Sequence, residues 1–232
     1  MERPAQCLPL RVLPPMAFIA VGLLLAGCAT PSHVHVTRGN DAYTHGDYQA
    51  ALDHYTDALV NRGGNIDARI GLAKAYLKLN QPAHAREQME MAYSLYPQDP
   101  QVLDLLSESM IASGDVAGMQ ALLASNAQHT NAPEDWLRLG RHLMNAGDLD
   151  EAKQAMLLAA RVDGGRTAKY QVALAELAAK AGDAQTAKQR YRMALFADPM
   201  NEQVKTALRK MGEIPGPGIA IQPTEMASAA SN

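Results

Sequence analysis

The residues of this chain that could perform chemistry are few, and their spacing does not indicate a catalytic centre. There are two cysteines and seven histidines. His33 and His35 could in principle grip a metal, but no third ligand follows at a fixed spacing, so we expect no metal site. The sequence lacks the G-x-S-x-G, P-loop, H-E-x-x-H and glycine-rich dinucleotide motifs. We therefore expect no catalytic residue, no cofactor and no small-molecule substrate.

One cysteine, Cys28, ends an N-terminal segment that has the features of a secretion signal. Arg3 and Arg11 precede an uncharged apolar run over residues 16–26. This run is too short to cross about 30 Å of hydrocarbon as a helix, so cleavage is predicted rather than a membrane span. An ordinary secretory signal with a chance cysteine near its end is the alternative.

The sequence LAGC at residues 25–28 resembles the lipobox of bacterial lipoproteins. The resemblance implies that residues 1–27 form a signal peptide, cleaved between Gly27 and Cys28. It also implies that the Cys28 thiol carries a diacylglycerol and that residues 28–31 form a short lipidated tether. Several acyl chains on one residue give a stable membrane anchor.

The second cysteine and the residue after the lipobox refine this prediction. Cys7 would leave with the signal peptide, so the mature chain would hold a single cysteine, already acylated. In a Gram-negative cell, the family's sorting rule makes Ala29 after the lipidated cysteine a sign of the outer membrane. The chain is then expected in the bacterial envelope, facing the periplasm.

Composition indicates an all-α fold and excludes a class of partners. Only 5% of the residues are aromatic, whereas a sheet draws on aromatic and β-branched residues. The net charge is −3, and no Lys/Arg cluster is visible that could neutralise phosphates. We expect no nucleic-acid partner.

A unit of about 34 residues recurs along the chain. Its marker is a Gly-Asp-type pair, in which the first residue ends one helix in the left-handed conformation and Asp caps the next. The pairs begin at Gly46, Asn80, Gly114, Gly147 and Gly182. Asp148 and Glu151 also match a D-x-x-E capping box.

Small residues occupy three further positions of the unit, where two helices would cross closely. They are Gly39, Ala73, Ser107, Gly140 and Ala175; Ala51, Ala85, Ala152 and Ala187; and Ala58, Ala92, Ala159 and Ala194. Bulky fillers lie between the last two positions, at Tyr55, Met89, Leu123, Met156 and Tyr191. The third unit departs from the pattern with Met119 and Asn126.

This pattern, with the W-x-x-L-G opening at Trp136, resembles the tetratricopeptide repeat (TPR). The resemblance implies a right-handed superhelical solenoid of about five helix-turn-helix units over residues 32–199. The units are predicted at about 32–65, 66–99, 100–132, 133–167 and 168–199, with a looser second helix in the third. An unrelated helical bundle is the alternative.

Beyond the repeats, residues 200–212 are predicted to form a capping helix, with Val204, Leu208 and Met211 on one face. Residues 213–232 are rich in Pro, Gly, Ser and Ala and lack apolar periodicity. They are predicted to be a disordered tail.

In the TPR family the first helices line a concave groove, and the resemblance implies which residues face it here. Two apolar ladders are expected to flank a line of mixed charge. The predicted groove residues are Asn40, Tyr43, Ile70, Lys74, Leu77, Glu108, Ile111, Leu137, Arg141 and Met144. The family's carboxylate clamp needs Lys where this chain has Val36, Ile70 and Leu137. An apolar or amphipathic partner segment is therefore favoured over an acidic peptide tail, although these side chains could instead complete helix packing.

The function that these features favour is a lipid-anchored, non-enzymatic interaction scaffold or assembly factor, whose partners are other proteins of an envelope complex. Lipobox and repeats together resemble pilus-assembly lipoproteins of the type IV and tight-adherence systems, and also the helical lipoprotein of the outer-membrane β-barrel assembly machine. The alternative is a regulatory adaptor that recruits a periplasmic protease or a peptidoglycan synthase. An enzyme is the least favoured hypothesis, because no convergent acid–base pair is visible.

Overall fold

The computed structural model describes residues 30–229, with side chains to residue 226. The signal peptide, Cys28 and the start of the tether lie outside the described residues. Within them the secondary structure is helical, with no strand, which confirms the all-α prediction. The repeat helices are α1 Ser32–Thr44, α2 Tyr48–Asn61, α3 Ile66–Lys78, α4 Pro82–Leu95, α5 Pro100–Ala112, α6 Val116–Thr130, α7 Pro133–Ala146, α8 Leu149–Asp163, α9 Ala168–Lys180 and α10 Ala184–Ala197. Two shorter helices follow, α11 Glu202–Lys210 and α12 Thr224–Ala229.

The ten repeat helices form five antiparallel-type pairs that stack into a solenoid. Each odd-numbered helix packs against the even-numbered helix that follows it, and successive odd-numbered helices also contact one another. The first helices of the pairs therefore form one continuous layer. Among the described helices, none is both long and apolar enough to span a bilayer.

The turns inside the pairs use the predicted residues. Gly46, Gly114, Gly147 and Gly182 have φ between +80° and +98°, and Asn80 has φ +57°. The side chains of three of the following aspartates accept a backbone N–H of the next helix, those of Asp47, Asp115 and Asp183. Asp148 makes no such bond, so the predicted capping box is wrong. Its backbone N–H still bonds to the Leu143 carbonyl at 3.0 Å, and its own carbonyl accepts from Ala152, so the turn closes without the side chain.

Close approach explains why small residues recur at the predicted positions. A Cβ added to Gly39 would lie 2.6 Å from Cε1 of Tyr55, and one added to Gly71 would lie 2.4 Å from Cζ of the same ring. Two glycines on α1 and α3 thus sandwich one tyrosine of α2. A Cβ on Gly140 would lie 2.5 Å from Cγ of Met156 and 3.1 Å from the carbonyl oxygen of Ala152.

The third unit is only partly looser than its neighbours. Helix α6 runs unbroken for 15 residues, from Val116 to Thr130. However, α5 and α6 pack less closely on each other than the helices of the other pairs do. Met119 and Asn126 are both buried where the other units have alanine, and their volume holds the two helices apart.

Helix α11 covers the end of the array. Val204 and Leu208 are fully buried in a cluster with Val172 of α9 and Leu195 of α10, and Met211 packs beside them. Capping by an amphipathic helix hides the apolar edge that the last repeat would otherwise expose.

The prediction of a disordered tail from Glu213 is wrong for the described part of that segment. Glu213 pairs with Arg192 at 2.7 Å, and the backbone N–H of Ile221 donates to the Arg192 carbonyl at 3.2 Å. A short 3-10 helix spans Pro217–Ile219, and Ile219 packs on the capping cluster. These few contacts order a segment that lacks apolar periodicity, and the composition of the segment does not predict them.

The end of this segment returns to the repeats. Glu225, only 6% exposed, accepts from Arg190 of α10 at 2.8 Å and from Gln171 of α9 at 3.1 Å. Burial alone would raise the pKa of Glu225, but the hydrogen bonds from Arg190 and its neighbours outweigh it and lower that pKa. The carboxylate is thus held ionised against the last repeat.

Candidate functional site

The predicted groove lies on the layer formed by the first helices, α1, α3, α5, α7 and α9. These helices contact each other in succession, so equivalent residues of neighbouring units lie side by side. A partner laid across this layer would meet one residue of each type per repeat. The site is therefore best described in rows that run along the array.

The central row is exposed and charged, as predicted. Asn40, Lys74, Glu108 and Arg141 are all exposed. The Asn40 side chain accepts a hydrogen bond from the Tyr55 hydroxyl at 2.7 Å, which fixes its orientation. Lys74, Glu108 and Arg141 form no ion pair within residues 30–229. Their charges are consequently available to a ligand.

Beside the central row runs a half-buried row of larger side chains. Tyr43, Leu77, Ile111 and Met144 are each partly exposed. The last three pack against the main core cluster and keep part of their surface accessible. This row can give a partner apolar contact area without any rearrangement of the repeats.

The second predicted apolar row is largely buried at Ile70 and Leu137. Ile70 is 7% exposed and Leu137 is 5% exposed, and both belong to the main core cluster. Ile70 and Leu137 therefore offer a partner little accessible surface, although each borders a cavity of the groove. The accessible surface of the groove is therefore formed mainly by the central row and one half-buried row.

Two shallow cavities interrupt the groove surface. One of about 360 Å³ is lined by Val36, Asn40, Tyr43 and Lys74, and its floor includes Ile70. The other, of about 410 Å³, is bordered by Glu108, Leu137 and Arg141 together with ionisable side chains of α5, α7 and α9. Seven of the ten predicted groove residues are thus brought together around two concave sites, separated along the array.

Ion pairs between adjacent first helices frame the second cavity. Nε of Arg138 donates to Asp104 at 2.9 Å, and Nε2 of His142 lies 3.2 Å from the same carboxylate oxygen. Arg138 also pairs with Asp135 on its own helix. Burial alone would raise the pKa of Asp104, but the contacts with His142 and Arg138 outweigh it and lower that pKa.

A second inter-repeat pair joins α7 to α9. Oε1 of Glu134 accepts from Nζ of Lys169 and from the Tyr170 hydroxyl, each at 2.7 Å. The Lys169 and Tyr170 contacts lower the pKa of Glu134 to about 2. Burial and the hydrogen bond to Glu134 together raise the pKa of Tyr170 to about 12.

Reasoning from the sequence missed these pairs, although a signal for them exists. Arg138 follows Asp104 by 34 residues, and Lys169 follows Glu134 by 35. Opposite charges one repeat apart on first helices fall next to each other when the units stack. Searching the sequence for such pairs would have found both.

The two histidines that were predicted not to form a metal site, His33 and His35, have different surroundings in the structure. His33 is exposed, whereas His35 is half-buried and lies beside His54 and Asp57 of α2 rather than beside His33.

Comparison with known families identifies the repeat. Sequence profiles of the tetratricopeptide repeat match residues 42–108 and residues 137–202, which together make up more than half of the chain. The chain belongs to the tetratricopeptide repeat family. TPR units are typically non-catalytic modules for protein interaction. No curated protein sequence matches this TPR chain.

Solved TPR structures share its fold. PilW, a widely conserved type IV pilus biogenesis factor, superposes with a TM-score of 0.55 at 17% identity, covering 83% of this chain and 89% of its own. PilF of Pseudomonas aeruginosa gives 0.52 at 17% identity, covering 78% and 82%. A TPR protein of Thermus thermophilus gives 0.51 at 22% identity, covering 75% and 95%. At these identities the likeness establishes the TPR fold, and the chain resembles pilus-assembly TPR proteins in that sense.

Proposed function

We propose that this TPR protein is a lipid-anchored scaffold of the bacterial envelope that binds a segment of another protein along its first-helix layer. The observation that carries the proposal is the exposed central row, in which Lys74, Glu108 and Arg141 have no ion-pair partner among residues 30–229. Elsewhere on the same layer, Arg138 and Lys169 are paired across repeats. Charged side chains that lack an ion-pair partner, next to others that are paired, are available to form ion pairs with a ligand.

The half-buried row defines the chemistry of the partner. Leu77, Ile111 and Met144 offer apolar surface next to a line of charges that alternates in sign along the array. An amphipathic helix, or an extended segment with apolar and mixed-charge side chains, would match both rows at once. An all-acidic peptide would meet Glu108 in the middle of the row and be repelled there.

Charge reversal tests the groove directly. In the double variant Lys74→Glu with Arg141→Glu, site-specific photo-crosslinking from position 111 in cells should lose the partner band. The matched control is Lys153→Glu with Arg161→Glu, an exposed lysine and an exposed arginine of α8, outside the first-helix layer; this variant should keep the partner band. Loss in both variants, or in neither, would contradict a groove-based partner.

A second pair of substitutions separates contact from folding. Replacing Leu77 and Met144 together with Glu should abolish partner capture while the helical content measured by circular dichroism stays unchanged. Loss of helical content would show that these half-buried residues act as core and not as a contact row.

The lipid anchor is a separate part of the proposal. It is supported by the LAGC sequence at residues 25–28 and by the apolar run before it. Labelling cells with an alkyne-bearing palmitate should tag the wild-type chain and the Cys7→Ser variant, because Cys7 would leave with the signal peptide. It should not tag Cys28→Ser. Equal labelling of all three would contradict acylation at Cys28.

The membrane that holds the protein can be tested with a single substitution. If Ala29 directs the chain to the outer membrane, Ala29→Asp should move it to the inner-membrane fraction of a density gradient. An unchanged distribution would contradict the sorting prediction.

Pilus assembly is the proposed setting. It is supported by the combination of lipobox and TPR array and by the fold shared with a pilus biogenesis factor. Deleting the gene should abolish surface pili seen by electron microscopy, and the Lys74→Glu with Arg141→Glu variant should fail to restore them. Normal piliation in the deletion strain would remove this setting and leave the scaffold itself to be judged by the crosslinking result.

A further inference from the structure

Three potential metal ligands converge on the first repeat, away from the groove rows. His35 lies on α1, and His54 and Asp57 lie on α2, three residues apart and therefore on one helix face. One ligand atom from each residue lies within 4.8 Å of the other two. The rings of His35 and His54 are 6.4 Å apart and tilted by 49°, so they are not stacked on each other.

The buried nitrogen of His35 has no hydrogen-bond partner within the described part of the chain. Its Nδ1 is inaccessible, and the His35 side chain is only 13% exposed. The nearest carboxylate oxygen, on Asp57, lies 3.5 Å away, close enough for an ion pair but too far for a good hydrogen bond. A buried polar atom in this state calls for an additional partner.

The charge around the three residues favours a cation. Helices α1 and α2 contain one basic side chain other than histidine, Arg38, against the three aspartates Asp41, Asp53 and Asp57. No lysine or arginine forms an ion pair with Asp57 among residues 30–229. The Asp57 carboxylate is 60% exposed and free to turn towards an ion.

We propose that His35, His54 and Asp57 form a Zn²⁺ site, with water as the fourth ligand. Two imidazole nitrogens and one carboxylate oxygen are a donor set that zinc accepts, and no thiolate is required. A tetrahedral zinc ion with bonds of about 2.0–2.1 Å holds its ligand atoms about 3.3 Å apart. Rotation of the Asp57 side chain, which is far more exposed than that of His35, together with a small rotation of the His54 ring, would close the difference from the observed spacing.

The site joins the two helices of the first repeat. The last repeat is covered by α11, but within the described residues no helix packs on the outer side of α1. A metal bridge from α1 to α2 would hold together this end of the array, on which no described helix packs. The expected effect is stabilisation of the first unit, and it is independent of the partner proposed for the groove.

Zinc affinity measured by competition with a chromophoric chelator tests the site. The full-length chain would be purified in detergent without a polyhistidine tag, stripped with a chelator and titrated with Zn²⁺. We expect each wild-type chain to bind one more Zn²⁺ than the His35→Gln/His54→Gln/Asp57→Asn variant binds. His35→Gln and Asp57→Asn should each weaken binding by about 100-fold or more, because each removes a direct ligand. None of the substitutions changes a cysteine, so any zinc bound to thiols cancels in the comparison.

The matched control is His33→Gln, which alters an exposed histidine two residues from His35. It should retain wild-type affinity, and Zn²⁺ should raise the melting temperature of the wild type and of H33Q but not of D57N. Because Asp57 is largely exposed, D57N tests the site even if H35Q fails to fold. Equal uptake by the wild type and the triple variant would overturn the proposal, as would a loss in H33Q as large as that in D57N.

Discussion

The third and fourth repeats share one architecture but differ in how closely their helices approach. In the fourth repeat, Gly140 of α7 lies against Met156 and the backbone of α8, and the two helices pack tightly. In the third, Ser107 takes the place of the glycine, and Met119 and Asn126 take the places of two alanines. Helices α5 and α6 pack less closely as a result. The side-chain volume at a few crossing positions therefore sets the distance between the two helices of a repeat, while helix formation itself is unaffected.

The largest expected effects come from removing one buried methionine from each of the two repeats. Met156→Ala should lower the free energy of unfolding by about 3 kcal/mol, because the tightly packed fourth repeat cannot close the cavity. Met119→Ala should cost less, about 1–2 kcal/mol, because alanine lets α5 and α6 move together and fill the space. Urea unfolding of both variants measures the difference. Equal losses would show that Met119 does not hold the helices apart.

Adding volume at the crossing should have the next largest effect. Gly140→Val should lower the free energy of unfolding by about 2–3 kcal/mol, since even its Cβ would meet Met156 and the Ala152 carbonyl. Ser107→Ala is the counterpart in the third repeat. It removes only a hydroxyl that donates to the Leu103 carbonyl of its own helix, and it should change the free energy of unfolding by less than about 0.5 kcal/mol. A loss in G140V as small as that in S107A would contradict the close approach of α7 and α8.

The helix caps favour the third repeat over the fourth, because only the third has a side-chain cap bond on its second helix. Asp115 caps α6 through the Gly118 N–H at 2.9 Å and pairs with Arg86, whereas Asp148 makes no side-chain cap bond. Asp115→Ala should therefore lower the melting temperature by a few degrees, and Asp148→Ala by less. Thermal melts followed by circular dichroism would show this, and a larger loss in D148A would contradict the observed caps.

The smallest expected effect concerns the ion pair from the fourth repeat to the fifth. The pKa of Glu134 is lowered from 4.5 to about 2 in the folded chain. Its contribution to stability is therefore complete above pH 4.5 and is lost as the pH falls towards 2. Because the carboxylate is largely exposed, Glu134→Gln should cost less than about 1 kcal/mol at pH 7.

Urea unfolding at several pH values would follow this effect. The difference between the wild type and E134Q should vanish between pH 4.5 and 2. Glu108→Gln is the matched control, because Glu108 forms no ion pair within residues 30–229 and its loss should change stability by less than about 0.5 kcal/mol at pH 7. A difference for E134Q that persists unchanged at pH 2 would contradict the role of the Lys169 and Tyr170 contacts.

Much of the fold could be predicted from the sequence, because the repeat imposes the same local demand five times. Gly114 and Gly182 occupy left-handed turns, and Tyr55 and Met89 fill the space between small residues, as their spacing indicated. The site was less predictable. Whether Ile70 and Leu137 face a partner or the core depends on how closely neighbouring first helices lie, and the spacing along one helix does not contain that distance.

The same limit explains the other differences between sequence and structure. Glu225 lies 54 residues from Gln171 and 35 from Arg190, and no periodic pattern links it to either. His35 was judged by its sequence neighbour His33, but in the structure its partners are on the next helix. Contacts between elements arise from packing, which the order of residues specifies only indirectly.

The sequence by itself determined the helices, their turns and the five-fold repeat, because these depend on residues close together in the chain and on side-chain volume. The tertiary structure alone decided three things: which row of the groove remains open, where the chain from Glu213 packs, and which ionisable groups meet across repeats. The physical reason is that each depends on the distance between helices. In the third and fourth repeats, a few atoms at the crossing positions change that distance.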